Sequence, residues 1–173
     1  MLMIRLSLAV ALIALCLPAQ VKLASVFSND MVLQRGMAVP FWGTAANGEA
    51  ITVKFAGQTV VTKAAGGIWR VDLKSMKAGG PFVATIQGAK NKLTLTNVMV
   101  GEVWLCSGQS NMNWPVRSTV NGAATILSAK NDNVRFFLSP NGYPVGKGWQ
   151  LSSSTHVATV SAVAYYFGRV LSK

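Results

Sequence analysis

Acidic residues are scarce in this sequence. Five Asp and Glu stand against sixteen Lys and Arg, with a single histidine. The net charge of +11 suits an anionic partner. The basic residues are scattered singly, however, without the clustering of a nucleic-acid footprint, so nucleic-acid binding is disfavoured and a solvated surface that attracts acidic groups fits better. Cysteine is equally sparse. Of Cys16 and Cys106, the first lies in an apolar N-terminal lead, so loss of that lead leaves one thiol and no intrachain disulfide. Long apolar runs are missing too. The stretch from Leu6 to Leu17, broken only by Ser7, falls short of the roughly 20 apolar residues a spanning helix needs. No membrane span is expected, and no internal repeat or low-complexity tract is present.

The lead itself is informative. Met1 to Arg5, the apolar run and Pro18-Ala19-Gln20 together read as a secretory signal over residues 1–20, cleaved near Ala19 or Gln20. Export to the periplasm or the medium is expected. Leu15, where a lipoprotein signal has a small residue before its cysteine, argues for plain cleavage over lipid anchoring.

From Met31 to about Val100 the chain reads as short β-type runs: Val39 to Thr44, Ile51 to Phe55, Thr59 to Lys63, Ile68 to Leu73, Phe82 to Gln87 and Lys92 to Thr96. Turn signals separate them, among them Asn47-Gly48, Gly57-Gln58, Gly66-Gly67 and Gly79-Gly80-Pro81. Strands this short and evenly spaced predict an antiparallel β-sandwich over residues 21–97. Within it, Ile51-Thr52-Val53-Lys54-Phe55 alternates, with one face buried and one wet.

At Val98 the character changes. Val103-Trp104-Leu105-Cys106 is a continuous apolar run, which predicts a strand covered on both faces in an α/β layer. A loop region follows, with Asn131-Asp132-Asn133 and Pro140 to Gly148. Val157, Val160, Val163, Ala164, Phe167, Val170 and Leu171 then recur at helical spacing, with N-cap candidates in Ser152 to Thr155. One central strand and one long helix cannot close a core between them. Residues 98–173 therefore read as the truncated first part of a second domain.

The stretch with chemistry in it is Gly101-Glu102-Val103-Trp104-Leu105-Cys106-Ser107-Gly108-Gln109-Ser110-Asn111-Met112. It sets Ser110 in a turn of small residues beyond a strand, where a nucleophile is exposed at a sheet edge. It is not the α/β-hydrolase elbow, because Met112 occupies the second glycine position. A serine after a strand often serves only as a turn or cap residue, and that reading of Ser110 stands beside the catalytic one.

This block resembles the sialate O-acetylesterases and related carbohydrate acetylesterases of the SGNH hydrolase superfamily. The resemblance continues through Phe27 to Arg35, Val39 to Thr44, Ala78 to Phe82 and Ser161 to Arg169, in the family's order. It implies a β-sandwich followed by the start of a flavodoxin-like α/β SGNH domain. It further implies that Ser110 is a serine-esterase nucleophile, passing through an acetyl-enzyme on an O-acetylated carbohydrate with no metal or cofactor. The Ser110 backbone N–H would supply one oxyanion donor. Gln109 stands where the wider superfamily often has aspartate. Gln109 and Asn111 either orient the turn or touch substrate, and Trp114 is a candidate wall of the substrate site.

The family's Asp-x-x-His pair is missing. After Ser110 the only acid is Asp132 and the only histidine His156, with Ser153 three residues before it. The resemblance thus implies a fragment whose base lies outside these residues and whose esterase activity is low. His156 reads as a surface or cap residue. Cys106, Trp42, Trp69 and Trp104 read as core, and Tyr165 and Tyr166 as packing along the helix. Sialic acid is the expected acetylated sugar. An acetylxylan-type polysaccharide, or a sandwich that merely binds sugar or serves as scaffold, remain the alternatives. Oligomeric state is not legible.

Overall fold

The computed structural model describes residues 20–138 and 148–172. The expected secretory signal, apart from Gln20, and the stretch from Pro140 to Lys147 lie outside the described residues.

Eight strands fill the first half: β1 (Lys22–Leu23), β2 (Val32–Gln34), β3 (Val39–Thr44), β4 (Ala50–Phe55), β5 (Gln58–Lys63), β6 (Ile68–Leu73), β7 (Gly79–Gln87) and β8 (Lys92–Gly101). One sheet is ordered β1-β3-β6 and the other β2-β8-β7-β4-β5. All six expected strands form, with β3 and β6 on the expected bounds and β7 and β8 longer than expected. The expectation of purely antiparallel pairing needs one correction. β2 runs parallel to β8, with Val32 opposite Met99 and Gln34 opposite Gly101. A parallel pair needs a long crossover, and the chain between β2 and β8 provides it.

Alternation does the packing. In β4, Ile51, Val53 and Phe55 are buried while Lys54 is exposed. They join Phe41, Leu73, Ala84, Ile86 and Val98 in one apolar core shared by both sheets. Trp69 is 1% exposed. Its indole N–H is shared between the carbonyls of Lys22 and Thr44, both at 3.3 Å, so the buried polar edge is satisfied. β1 approaches β3 so closely that a Cβ on Gly43 would lie 1.9 Å from the Lys22 carbonyl oxygen. The β4–β5 hairpin turns on Ala56 (φ 45°) and Gly57 (φ 77°), the doubly left-handed turn whose twist matches the strands.

Residues 102–172 are built differently. They contain α1 (Gly122–Leu127), β9 (Asn131–Phe137), β10 (Trp149–Ser152) and α2 (Ala162–Leu171), with 3₁₀ turns at Ser110–Asn113, Val116–Ser118 and Val157–Thr159. β9 and β10 form an antiparallel pair. Three expectations fail here. Val103 to Cys106 is not a covered strand: it has no regular structure, Leu105 is 94% exposed and Trp104 59%. Ladder pairing with β7 and β2 ends by Gly101, and an unpaired apolar run has nothing to make it a strand. Asn131-Asp132-Asn133 is the start of β9 rather than loop, because the pairing of Arg135 to Phe137 with β10 carries the strand back through it. The helix begins at Ser161, whose hydroxyl accepts from the Ala164 N–H at 3.3 Å, and not within Ser152 to Thr155. Val157 and Val160 are buried, but in the preceding 3₁₀ turn.

A second apolar cluster forms from Val116, Ala129, Val157, Val160, Ala162 and Tyr165. Much of the apolar stripe of α2 remains in water, with Val163, Phe167, Val170 and Leu171 all exposed. No helix among the described residues is long and apolar enough to cross a membrane.

Candidate active site

The segment carrying Ser110 leaves the sheet at the end of β8. There the side chain of Gln34 takes over from the backbone ladder. Its Oε1 accepts from the Val103 N–H at 2.8 Å and its Nε2 donates to Glu102 at 3.0 Å. Arg35 Nε donates to the other Glu102 oxygen at 2.5 Å. Hydrogen bonds from Gln34 and Arg35 hold the Glu102 carboxyl below the usual carboxylate range. Beyond this tether the chain runs open to Ser110, which begins a 3₁₀ turn closed by Met112 N–H to Gln109 O (2.9 Å) and Trp114 N–H to Asn111 O (3.2 Å).

No residue of that turn is buried, and Ser110 is exposed. Its support comes from α2. Ser161 Oγ donates to Met112 Sδ at 3.4 Å, and the Ala162 N–H donates to the Trp114 carbonyl at 2.8 Å. Val116 N–H to Val160 O (3.0 Å) completes the attachment. Upstream, the Trp104 ring stands edge-on to Phe167, with centroids 5.2 Å apart. Beside them lies a shallow cavity of about 250 Å³, lined by Trp104, Cys106, Ser107, Met112, Val163 and Phe167 among others. Ser110 is not in its lining, but Ser107 and Met112 bracket the Gly108 to Asn111 segment at its border.

Gln109 is the residue preceding the turn and Asn111 lies within it, both exposed. Trp114 follows it, 55% exposed, with its indole N–H donating to the Ser118 carbonyl at 3.1 Å. It does not wall the cavity. Cys106 and Trp104 are exposed, against the expectation of core positions, for the same reason that their segment is not a strand. Trp42 is partly exposed, edge-on to Phe27, whereas Trp69 is core as expected. Tyr165 is buried, and the Tyr166 hydroxyl bonds Thr119 and Thr125 at 3.3 and 3.1 Å, which lowers its pKa.

His156 sits at a cap, as expected. It precedes the Val157–Thr159 turn, with Nδ1 at 3.1 Å from both the Leu151 carbonyl and Ser153 Oγ. Asp132 lies on β9, where its carbonyl accepts from Arg135 Nε at 3.2 Å. Neither is joined to Ser110. No cluster of His, Cys, Asp and Glu among the described residues can hold a metal ion. Sequence reasoning passed over the Gln34–Arg35–Glu102 tether, whose partners are 67 to 69 residues apart. Their only signal is that the two ends fall inside two of the blocks that carry the family resemblance.

No protein-family profile matches the chain. It is 33% identical over 177 residues to the human protein described as sialate O-acetylesterase, covering 87% of this chain and 34% of the relative. The mouse sialate O-acetylesterase is 34% identical over 129 residues, covering 67% of this chain and 24% of that protein. Among solved structures, a carbohydrate acetylesterase from Xanthomonas citri superimposes with a TM-score of 0.80 at 32% identity, covering 88% of this chain and 37% of that one. The chain thus spans about a third of the length of the human relative it matches.

Proposed function

We propose that this chain, which belongs to the sialate O-acetylesterase family, carries the nucleophile of a carbohydrate O-acetylesterase, and that Ser110 is that nucleophile. The observation that carries the reading is Ser110 itself, exposed at the head of a turn braced by α2 and bordering an open apolar cavity. A hydroxyl so placed can reach the acetyl carbonyl of a bulky sugar without burying the sugar. Ser110 Oγ adds to the carbonyl carbon, its proton passes to a base, and collapse expels the sugar alkoxide, which takes up that proton. Water then attacks the acetyl-serine and releases acetate and the free hydroxyl. The Ser110 N–H serves as one oxyanion donor, a type of contact worth about 3 kcal/mol in hydrolases. Gln109 and Asn111 fix the turn or contact the sugar, and Trp114 flanks it.

The base comes from outside these residues: His156 Nδ1 faces the Leu151 carbonyl and Ser153, Asp132 lies on β9, and neither contacts Ser110. In this reading residues 21–97 are a β-sandwich, and residues 98–173 open an SGNH α/β domain whose further elements cover Trp104, Leu105 and the exposed stripe of α2. Residues 1–20 direct export. O-acetylated sialic acid is the preferred substrate, in keeping with the net charge of +11 and the names of the human and mouse relatives.

The test uses the longest reading frame containing this sequence, assayed on O-acetylated sialic acid and on acetylated xylan. Both activities are expected to fall by about 10⁴-fold or more in Ser110→Ala, with sialate the faster substrate. The 173 residues alone should hydrolyse an aryl acetate no faster than their Ser110→Ala variant. Full activity of Ser110→Ala in the long form would remove Ser110 from the mechanism.

A further inference from the structure

One arginine joins the two halves of the molecule by several hydrogen bonds. Arg135, in β9, is partly buried, and its guanidinium reaches across to the sheet module. Nη1 donates to the Asp30 carbonyl at 3.0 Å and to the Asn97 carbonyl, while Nη2 donates to Asn97 Oδ1 at 3.2 Å. The seat is built for it. Asp30 (φ 64°) and Asn97 (φ 55°) both adopt the left-handed conformation that Asp and Asn tolerate best. Asn97 falls where the β7–β8 register shifts, so its carbonyl is free to face outward. The two are joined by Asn97 Nδ2 to Asp30 Oδ1 at 2.6 Å, and braced by Thr96 N–H to Asn29 Oδ1 at 2.9 Å. Asp30 and Asp132 are the charges that offset the cost of burying the arginine.

A second contact lies on the neighbouring strand. The Trp149 N–H donates to Ser28 Oγ and its indole N–H to the Val26 carbonyl, both at 2.9 Å. The approach is so close that a Cβ on Gly148 would stand 2.4 Å from Ser28 Oγ. From β9 the connection runs on to the Ser110 support, because Phe136 packs against Tyr165 of α2 with centroids 6.1 Å apart.

The two apolar clusters are unequal. Among the described residues, seventeen buried side chains make up the first and six the second. A cluster of six lies well below what an independent core requires. We propose that Arg135, seated on Asp30 and Asn97, is a latch through which the second cluster draws its stability from the sheet module. The described parts of residues 102–172 then stay folded only while docked, whatever chemistry Ser110 performs.

Amide hydrogen exchange of the whole 173-residue chain tests this. The diagnostic amides are Val116 and Ala162, whose bonds to Val160 and Trp114 belong to the second cluster and touch none of the latch. In Arg135→Ala they should exchange at least about tenfold faster, while Ile51 to Phe55 of the first core keep their protection. Arg135→Lys retains the charge but not the forked geometry, and should behave nearly as the alanine variant does. Trp149→Phe, which deletes one bond and keeps the packing, should give a smaller change of the same sign and covers the case in which Arg135→Ala does not fold. Arg70→Ala, which breaks an exposed ion pair with Asp72, is the silent control. The latch is refuted if Val116 and Ala162 stay within about twofold of wild type, or if both clusters lose protection equally, as in a molecule that opens only globally.

Discussion

Residues 20–101 and residues 102–172 use similar amounts of apolar side chain to different ends. In the first region every strand has at least one paired neighbour, alternate residues turn inward, and Phe41, Ile51 and Ile86 reach zero exposure. In the second, strand pairing among the described residues is that of β9 with β10, beside an isolated bridge between Pro115 and Ser161, while Trp104, Leu105, Val163 and Phe167 stay in contact with water. The difference lies in whether the backbone has partners, not in composition. Val103-Trp104-Leu105-Cys106 is as apolar as Val98-Met99-Val100. The latter lies between β7 and β2, and the former has no strand beside it among the described residues.

Substitution can break this contrast or sharpen it. The largest effect is expected at Phe41, in contact with Phe27 and Phe55 and fully buried. Phe41→Ala should cost about 3–5 kcal/mol through the cavity it leaves. Phe167, 41% exposed, should cost under about 1 kcal/mol as Phe167→Ala. Urea unfolding of the two variants gives both numbers, and equal losses would erase the distinction between the regions. A smaller effect is expected at the β4–β5 turn, where Ala56 carries a Cβ at φ 45°. Ala56→Gly relieves that crowding at some cost in chain entropy, and should raise stability by about 0.5 kcal/mol.

The smallest effect belongs to the boundary between the regions. Glu102 has a lowered pKa in the folded chain, so its pairing with Gln34 and Arg35 contributes stability above the unfolded carboxylate value of about 4.3 and loses it as pH falls through the folded value. Wild type should therefore lose slightly more stability than Glu102→Gln between pH 6 and pH 3, measured by urea midpoints. The group is exposed, so the difference is small, and a steeper fall in the variant would contradict the assignment.

Much of the first region was legible because a period of two is a local signal. The alternation in Ile51 to Phe55 locates β4 to within a residue, and Gly57 marks its turn. β1 and β2, two and three residues long, are too short to show any period. In the second region apolar runs misled, because burial there depends on neighbours that a run does not specify. Ser161 lies between two apolar stretches, so the helical spacing of Val157 and Val160 ran through the actual cap. At the candidate site, Ser110 is exposed as anticipated, but the strand expected to deliver it to a sheet edge is absent, since β8 ends at Gly101. The tether at Glu102 and the seat of Arg135 join residues distant in sequence, and pairing of that kind leaves no periodic trace.

The direction of β2 has a geometric corollary. Two neighbouring strands that point the same way release their chains over the same rim, and Gln34 indeed lies level with Gly101. The residue after each, Arg35 on one and Glu102 on the other, is therefore delivered to a common corner, where opposite charges can clasp. Had β2 been reversed, its exit would lie at the far rim, and the stretch leading to Ser110 would start its course without a moored end.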